Sequence, residues 1–207
     1  MFNFLQPIGK IHPGYNRFIG WSFVTNAVVS TQSVLATHNM LTMLGAAGSQ
    51  NYMTANYILK DVIGQVGGLY YIHQMGKKVD NDPKKILRHS HELQQSSIIL
   101  ESLTPAFGPT MLVPVAGAAN ILKNVSFTGY GAVTAKCVQR LAIEGNIGEI
   151  YAKVTTVNTI GSTLGLSIGL GINMLVPDPV SKCFIVAALG IIRVNTFDLA
   201  VNAVGKI

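Results

Sequence analysis

Long apolar stretches alternate with short polar ones along this chain, and the apolar stretches are too continuous for the stripe of a soluble amphipathic helix. Residues 18–59 contain no Asp, Glu, Lys or Arg. A first spanning helix is predicted at 18–45. Trp21 stands near its start, where an interfacial aromatic belongs, while Asn26, Ser30, Thr31, Gln32, Ser33 and His38 form a polar face that must look into protein. Small residues at 45–51 predict a turn, and 54–75 predicts a second helix interrupted by Gly64, Gly67 and Gly68. A basic extramembrane loop is expected at 76–92, with Asp82 suited to cap a helix and Pro83 suited to its first position.

The apolar stretch 96–122 carries Pro105, Pro109 and Pro114. Each proline removes a backbone donor and clashes with the preceding turn, so a kinked or split helix is expected, with neighbouring protein or water satisfying the freed carbonyls. A further helix is predicted at 124–142. Residues 154–177 are uncharged and make the clearest single span. The last segment, 183–204, is apolar but contains Arg193 and Asp198, and reads as either a lined span or an interfacial helix.

Composition strengthens the membrane reading. Of 207 residues, 49% are hydrophobic and 12% charged, with a mean hydropathy of +0.39, whereas soluble domains carry about 25% charged residues. The expected fold is all-α, a single polytopic membrane domain over 1–207 with broken helices and about five or six spans of about 20 residues each. Two cysteines, Cys137 and Cys183, exclude a disulfide scaffold, and abundant Val, Ile and Leu exclude disorder. No cleavable signal peptide is expected, because Pro7 and Pro13 interrupt the start and no basic region precedes a continuous apolar run. The net charge of +6 does not point to nucleic acid. Lys77, Lys78, Lys84, Lys85 and Arg88 cluster without stacking aromatics or a nucleic-acid motif, and read as a positive-inside signal. The organelle is not specified by these features.

Gly161, Gly165 and Gly169 recur every fourth residue and would stack on one helix face as a packing seam, with Gly64 and Gly68 a shorter seam of the same kind. With Gly171 the first set superficially resembles a phosphate-cradling loop, but it lacks the lysine and the strand-to-helix context. Residues 55–62 resemble 119–125, which suggests two related halves with Lys60 and Lys123 at corresponding depths; chance similarity in an Ala-, Ile- and Leu-rich chain is the alternative. Lys60 and Asp61 interrupt the long uncharged region and need partners or water at membrane depth, unless they sit at a span end with Lys60 snorkelling. Asn146, Glu149 and Lys153 fall on one helical face, where Glu149 can pair with Lys153. His89-Ser90-His91-Glu92 lacks the further ligands of a metal site, and neither a nucleophile elbow nor another enzyme signature is present. Neither a cofactor nor a metal is expected.

The run Asn56-x-x-Leu59-Lys60-Asp61-x-x-Gly64-Gln65-x-Gly67-Gly68 resembles the most recognisable motif of the root UVB sensitive family. Pro13-Gly14-Tyr15, Ser30-Thr31-Gln32, Asp82-Pro83-Lys84, Glu101 with Pro105, Asn120 with Lys123, and Asn146-x-Gly148-Glu149-x-x-Ala152-Lys153 follow that family's pattern in order, over roughly residues 13 to 175. Leu87 and Thr134-Ala135-Lys136 depart from it, where the family usually has Trp and a Thr-Arg pair. The resemblance implies a short member without the soluble C-terminal region of longer ones. It further implies a multi-pass or membrane-associated protein from a family linked to vitamin B6 homeostasis, UV-B responses, seedling development and auxin distribution. Members associate with one another, often in plastids, and no agreed catalytic activity comes with the family name.

Two functions follow as expectations. In the first, Lys60, Asp61, Gln65, Asn120, Lys123, Asn146, Glu149 and Lys153 line a polar intramembrane site for a small polar or anionic solute. In the second, the chain is a non-catalytic scaffold in the bilayer that pairs with itself or a relative through the Gly161, Gly165 and Gly169 face.

Overall fold

The computed structural model describes residues 6–46 and 50–205, without the side chains of 43–46, 50, 52–53 and 72–80. The turn expected at 45–51, and the side chains of His73, Lys77 and Lys78, therefore lie wholly or largely outside the described residues. The chain is all-helical: α1 (Tyr15–Ala46), α2 (Gln50–Asn81), α3 (Pro83–Ser102), α4 (Thr104–Phe107), α5 (Leu112–Leu141), α6 (Ile147–Leu175) and α7 (Pro179–Val204), with a 3-10 turn at Pro109–Met111. Among the described residues the one β-type pairing is an isolated bridge between Ile11 and Ala142.

Local chemistry explains the boundaries. Asp82 caps α3 by accepting the Lys85 backbone N–H at 3.0 Å, and Pro83 takes the first helical position, where a missing N–H is harmless. Asp178 and Pro179 repeat the arrangement at α7, with the Ser181 N–H 2.7 Å from the carboxylate. The proline-rich stretch splits as expected: α3 ends at Ser102, and Gly108 at φ 77° turns the chain between α4 and the 3-10 turn. Pro114 then lies in the first turn of α5.

Two expectations are corrected. The stretch 76–92 is not a loop, since α2 runs to Asn81 and α3 begins at Pro83; lysine and arginine are good helix formers, so charge alone does not end a helix. Nor do Gly64, Gly67 and Gly68 interrupt α2, which is continuous because all three are packed against side chains of α5.

The six long helices alternate in direction. α1 runs parallel to α6, with Gly161 beside Phe23, Gly165 beside Ala27 and Gly169 beside Thr31 and Val34. It runs antiparallel to α7, with Thr25 against Thr196 and Gln32 against Val186. Likewise α2 is parallel to α5, with Gly64 against Asn120 and Gly68 against Asn124, and α3 is antiparallel to α5, with Ser97 against Ala119 and Ser90 against Ser126. α3 also crosses to α1 and α7 and joins the two groups. The main apolar core, including Tyr15, Phe18, Leu87, Val133, Leu141, Ile150, Phe197 and Val201, lies toward the end where α1 starts and α7 finishes.

All six helices reach 20 residues or more, the length that crosses about 30 Å of hydrocarbon. Among the described residues only α7 is both long and apolar enough to cross a membrane by length and composition. The stretch expected to be the clearest span, 154–177, falls on α6 apart from its last two residues. Gly161, Gly165 and Gly169 serve contact with α1, while Thr156, Thr159, Thr163 and Ser167 donate back to carbonyls of their own helix, and all of them dilute its hydropathy.

Candidate functional site

Helices that pack on one another must satisfy the polar side chains they bury, and here these form a seam between α1, α3 and α7. The Gln32 amide donates to Val186 O at 2.7 Å and to Gln95 Oε1 at 3.2 Å. The Asn39 amide donates to Pro179 O at 3.1 Å and to Ser102 O at 3.2 Å. Thr25 and Thr196 join their hydroxyls at 2.9 Å, and Lys182 Nζ stands 3.0 Å from His38 Nδ1. Arg193 is 0% exposed. Its Nη2 donates to His91 O at 2.8 Å, while Nε and Nη1 have no hydrogen-bond partner among the described residues.

His91, Tyr130 and Phe197 make three mutual edge-to-face contacts, with centroids 4.9, 5.0 and 4.9 Å apart, a favourable aromatic geometry. The Tyr130 hydroxyl also shares a hydrogen bond with His91 Nδ1. Tyr130 and Phe197 form one wall of a cavity of about 220 Å³ between α1, α3, α5, α6 and α7. Ser22, Thr25, Asn26 and Gln94 supply hydroxyls and amides on its inner side. Asn158 of α6 also lines it, and its Oδ1 is buried without a hydrogen-bond partner among the described residues. Phe127 and Tyr151, about half exposed, stand at the mouth between α5 and α6, two consecutive helices that pack on each other only sparsely.

A second polar cluster joins α2 to α5 and α3. Lys60 Nζ is 2.7 Å from Asp61 Oδ1 and 4.3 Å from the centroid of Tyr57. The Asn120 amide donates to Asp61 Oδ1 at 3.0 Å and to Lys60 O at 3.3 Å. Lys123 Nζ lies 2.5 Å from Glu101 Oε2. Both lysines thus already face a carboxylate, Lys60 on its own helix and Lys123 across from α5 to α3.

The eight residues expected to form one site fall into two places. Lys60, Asp61 and Asn120 meet at the α2–α5 contact, Lys123 one turn further along α5 pairs with Glu101 of α3, and Gln65 is exposed on α2. Asn146, Glu149 and Lys153 lie at the start of α6, beyond the far end of α5. Residues 120 to 141 of that straight run alone span about 30 Å at 1.5 Å per residue, so the two sets cannot share a solute. Glu149 accepts the Ile8 backbone N–H at 2.9 Å, and Asn146 precedes α6 without capping it through its side chain. The repeat-like segments 55–62 and 119–125 lie on adjacent parallel helices.

The seam Gly161–Gly165–Gly169 is occupied within the chain by α1. A Cβ on Gly161 would meet Phe23 O at 2.6 Å, one on Gly165 would collide with Ala27 O, and Thr31 donates to Gly165 O at 3.0 Å. A second molecule therefore cannot use that face while α1 is in place, and pairing through it is withdrawn.

Gln94, Tyr130, Asn158 and Phe197 were not singled out from sequence, because each is an ordinary residue on a long helix. Of the two charges noted inside the apolar segment 183–204, Arg193 is buried and Asp198 is exposed.

Comparison with known proteins agrees with the motif-based resemblance. The model of the vitamin B6 photo-protection and homoeostasis domain matches residues 9–205. The chain is similar to protein root UVB sensitive 4 of Arabidopsis thaliana, 28% identical over 80% of this chain and 32% of that protein. It is also similar to protein root UVB sensitive 6 of the same plant, 28% identical over 84% of this chain and 35% of that one. RUS family member 1 of Dictyostelium discoideum is 22% identical over 74% of this chain and 30% of its own length. The chain thus spans about a third of the length of these relatives. No solved structure matches. With the family domain covering nearly every residue, this chain belongs to the root UVB sensitive family, defined by the vitamin B6 photo-protection and homoeostasis domain.

Proposed function

We propose that the chain is a multi-pass helical membrane domain that holds a small polar solute in the cavity between α5 and α6. The observation that carries this reading is the distribution of polarity. Lys60, Glu101, Lys182, Arg193, Gln32, Asn39 and Gln94 are buried, while Val62, Val66 and Leu69 on α2, Leu166, Leu170 and Met174 on α6, and Phe184, Ile191 and Ile192 on α7 face outward. In water that pattern exposes apolar surface and desolvates charge; in hydrocarbon both terms change sign. Six helices long enough to cross and alternating in direction fit the same solvent.

Orientation follows from charge. Lys10, Arg17, Lys84, Lys85, Arg88, Lys136, Arg140 and Lys153 gather at the end that holds the starts of α1, α3 and α6 and the finish of α7, whereas the opposite end carries Glu101, Asp178 and Lys182 among the described residues. The positive-inside rule places the basic end on the cytoplasmic, matrix or stromal side.

The family's description makes vitamin B6 compounds the first solutes to test. Proteoliposomes should accumulate labelled pyridoxine faster than empty liposomes, and Asn158→Leu should abolish the difference. Equal uptake with and without protein would overturn solute handling. Recovery of the protein as a detergent-free monomer would overturn the membrane reading. A scaffold role needs a surface other than the α6 glycines, such as the outward apolar faces of α2 and α7.

A further inference from the structure

The cavity between α5 and α6 has a chemistry narrower than a polar solute. Its walls are aromatic on several sides, with Phe18, Phe127, Tyr130, Tyr151 and Phe197 around the space, and its polar groups are hydroxyls and amides. None of its lining residues carries a formal charge. Lys60 is matched by Asp61 and Lys123 by Glu101, and Arg193, the cation beside the Tyr130 wall, is fully buried, donates to His91 O and does not line the space. Building on the solute-binding reading above, we propose that this cavity is a site for an uncharged, single-ring aromatic or heteroaromatic molecule bearing hydrogen-bond donors, and that it discriminates against the anionic form of the same ring.

Size, hydrogen bonding and access agree. A closed apolar cavity of about 150 Å³ takes up benzene, so about 220 Å³ accommodates one ring with small polar substituents. Asn158 lines the cavity, and its Oδ1 is closed off from solvent with no hydrogen-bond partner among the described residues, so a donor that meets it after a small turn of the side chain would satisfy it. A ring N–H, hydroxyl or amide is such a donor; a carboxylate or phosphate is not, and would face this oxygen with like polarity. The mouth opens sideways between the half-exposed rings of Phe127 and Tyr151. In a bilayer that direction is hydrocarbon, which an uncharged ring crosses readily and an anion does not.

Nicotinamide and nicotinate form a suitable probe pair, because they share one ring and differ in an uncharged amide against a carboxylate. Binding of each to the full chain in detergent is measured by ligand-observed NMR, with two variants. Gly131 lines the cavity, and a Cβ built on it meets nothing within 4 Å, so Gly131→Leu adds bulk to the space from a position where the first side-chain carbon has room. Asn158→Leu removes the acceptor and keeps the bulk. The expected result is nicotinamide binding at least tenfold tighter than nicotinate, and a loss of at least tenfold in each variant at unchanged helicity. Equal or tighter nicotinate binding overturns the charge discrimination. Nicotinamide binding that survives both variants places the ligand elsewhere and overturns the site, as does the absence of nicotinamide binding to folded protein. If Gly131→Leu does not fold, Asn158→Leu decides alone. Since binding is read in detergent, a protein that binds nicotinamide but does not partition into liposomes separates failure of the membrane reading from failure of this one.

Discussion

Lys123 Nζ on α5 lies 2.5 Å from Glu101 Oε2 at the end of α3, with the carboxylate side chain 5% and the lysine side chain 19% exposed. One charge therefore neutralises the other between two helices that also share the Ser97-to-Ala119 hydrogen bond. Removing one partner strands the second in a poorly solvated place. Glu101→Gln or Lys123→Met alone should destabilise the fold by about 3–5 kcal/mol, while the double variant should regain most of that loss. Unfolding in mixed micelles with increasing SDS measures all three. Additive losses would show that the two side chains do not act as a pair.

Gly165 offers a steric test of how α1 meets α6. An added methyl there collides with the Ala27 carbonyl, which is backbone and cannot rotate away. Gly165→Ala should destabilise by about 1–3 kcal/mol as the helices part. Gly171 on the same helix has open space around its would-be Cβ. Gly171→Ala should be neutral or stabilising by up to about 1 kcal/mol, through helix propensity. Thermal unfolding of the two variants side by side checks the contrast.

The alternation of helix direction makes a sidedness prediction. Arg88 and Lys10 sit at the basic end, and Ser181 sits at the start of α7, on the other. In sealed vesicles, cysteines at positions 88 and 10 should react with an impermeant maleimide from one common side, and a cysteine at 181 from the opposite side. Labelling of all three from one side would contradict the spanning arrangement.

Asp178 provides a local pH signature at the α7 terminus. Its bonds from the Ser181 hydroxyl and backbone N–H hold the carboxyl below its ordinary value of 3.8. A depressed folded pKa means that the ionised cap stabilises α7 in full above the ordinary value, and that this contribution is lost as pH falls through the folded one. Amide exchange in the first turn of α7 should therefore accelerate on acidification below 3.8, relative to the interior of the helix. In Asp178→Asn that acid-dependent change should disappear.

Much of this architecture could be read along the chain, and the misses have identifiable causes. Asp82-Pro83 and the prolines of 105–114 act through their own backbone chemistry, so the start of α3 and the break before α5 were visible without neighbours. The continuity of α2 through Gly64, Gly67 and Gly68 was not, because those glycines are held by Asn120, Ile121 and Asn124 of another helix. Lys60, Asp61 and Asn120 were recognised as related polar residues and do meet. Grouping them with Asn146, Glu149 and Lys153 failed because helical periodicity gives a face but no height within the bundle.

By itself the sequence determined that the chain is helical, rich in apolar segments, poor in charge and built on the family's Asn-Leu-Lys-Asp-Gly pattern, since these depend on side-chain type and near-neighbour spacing. Only the tertiary structure decided which charges cancel, that α1 fills the α6 glycine seam, and that a cavity free of charged lining lies beside Tyr130 and Asn158. Those outcomes depend on contacts between residues far apart in the chain, and on a sparse α5–α6 packing that no local pattern encodes.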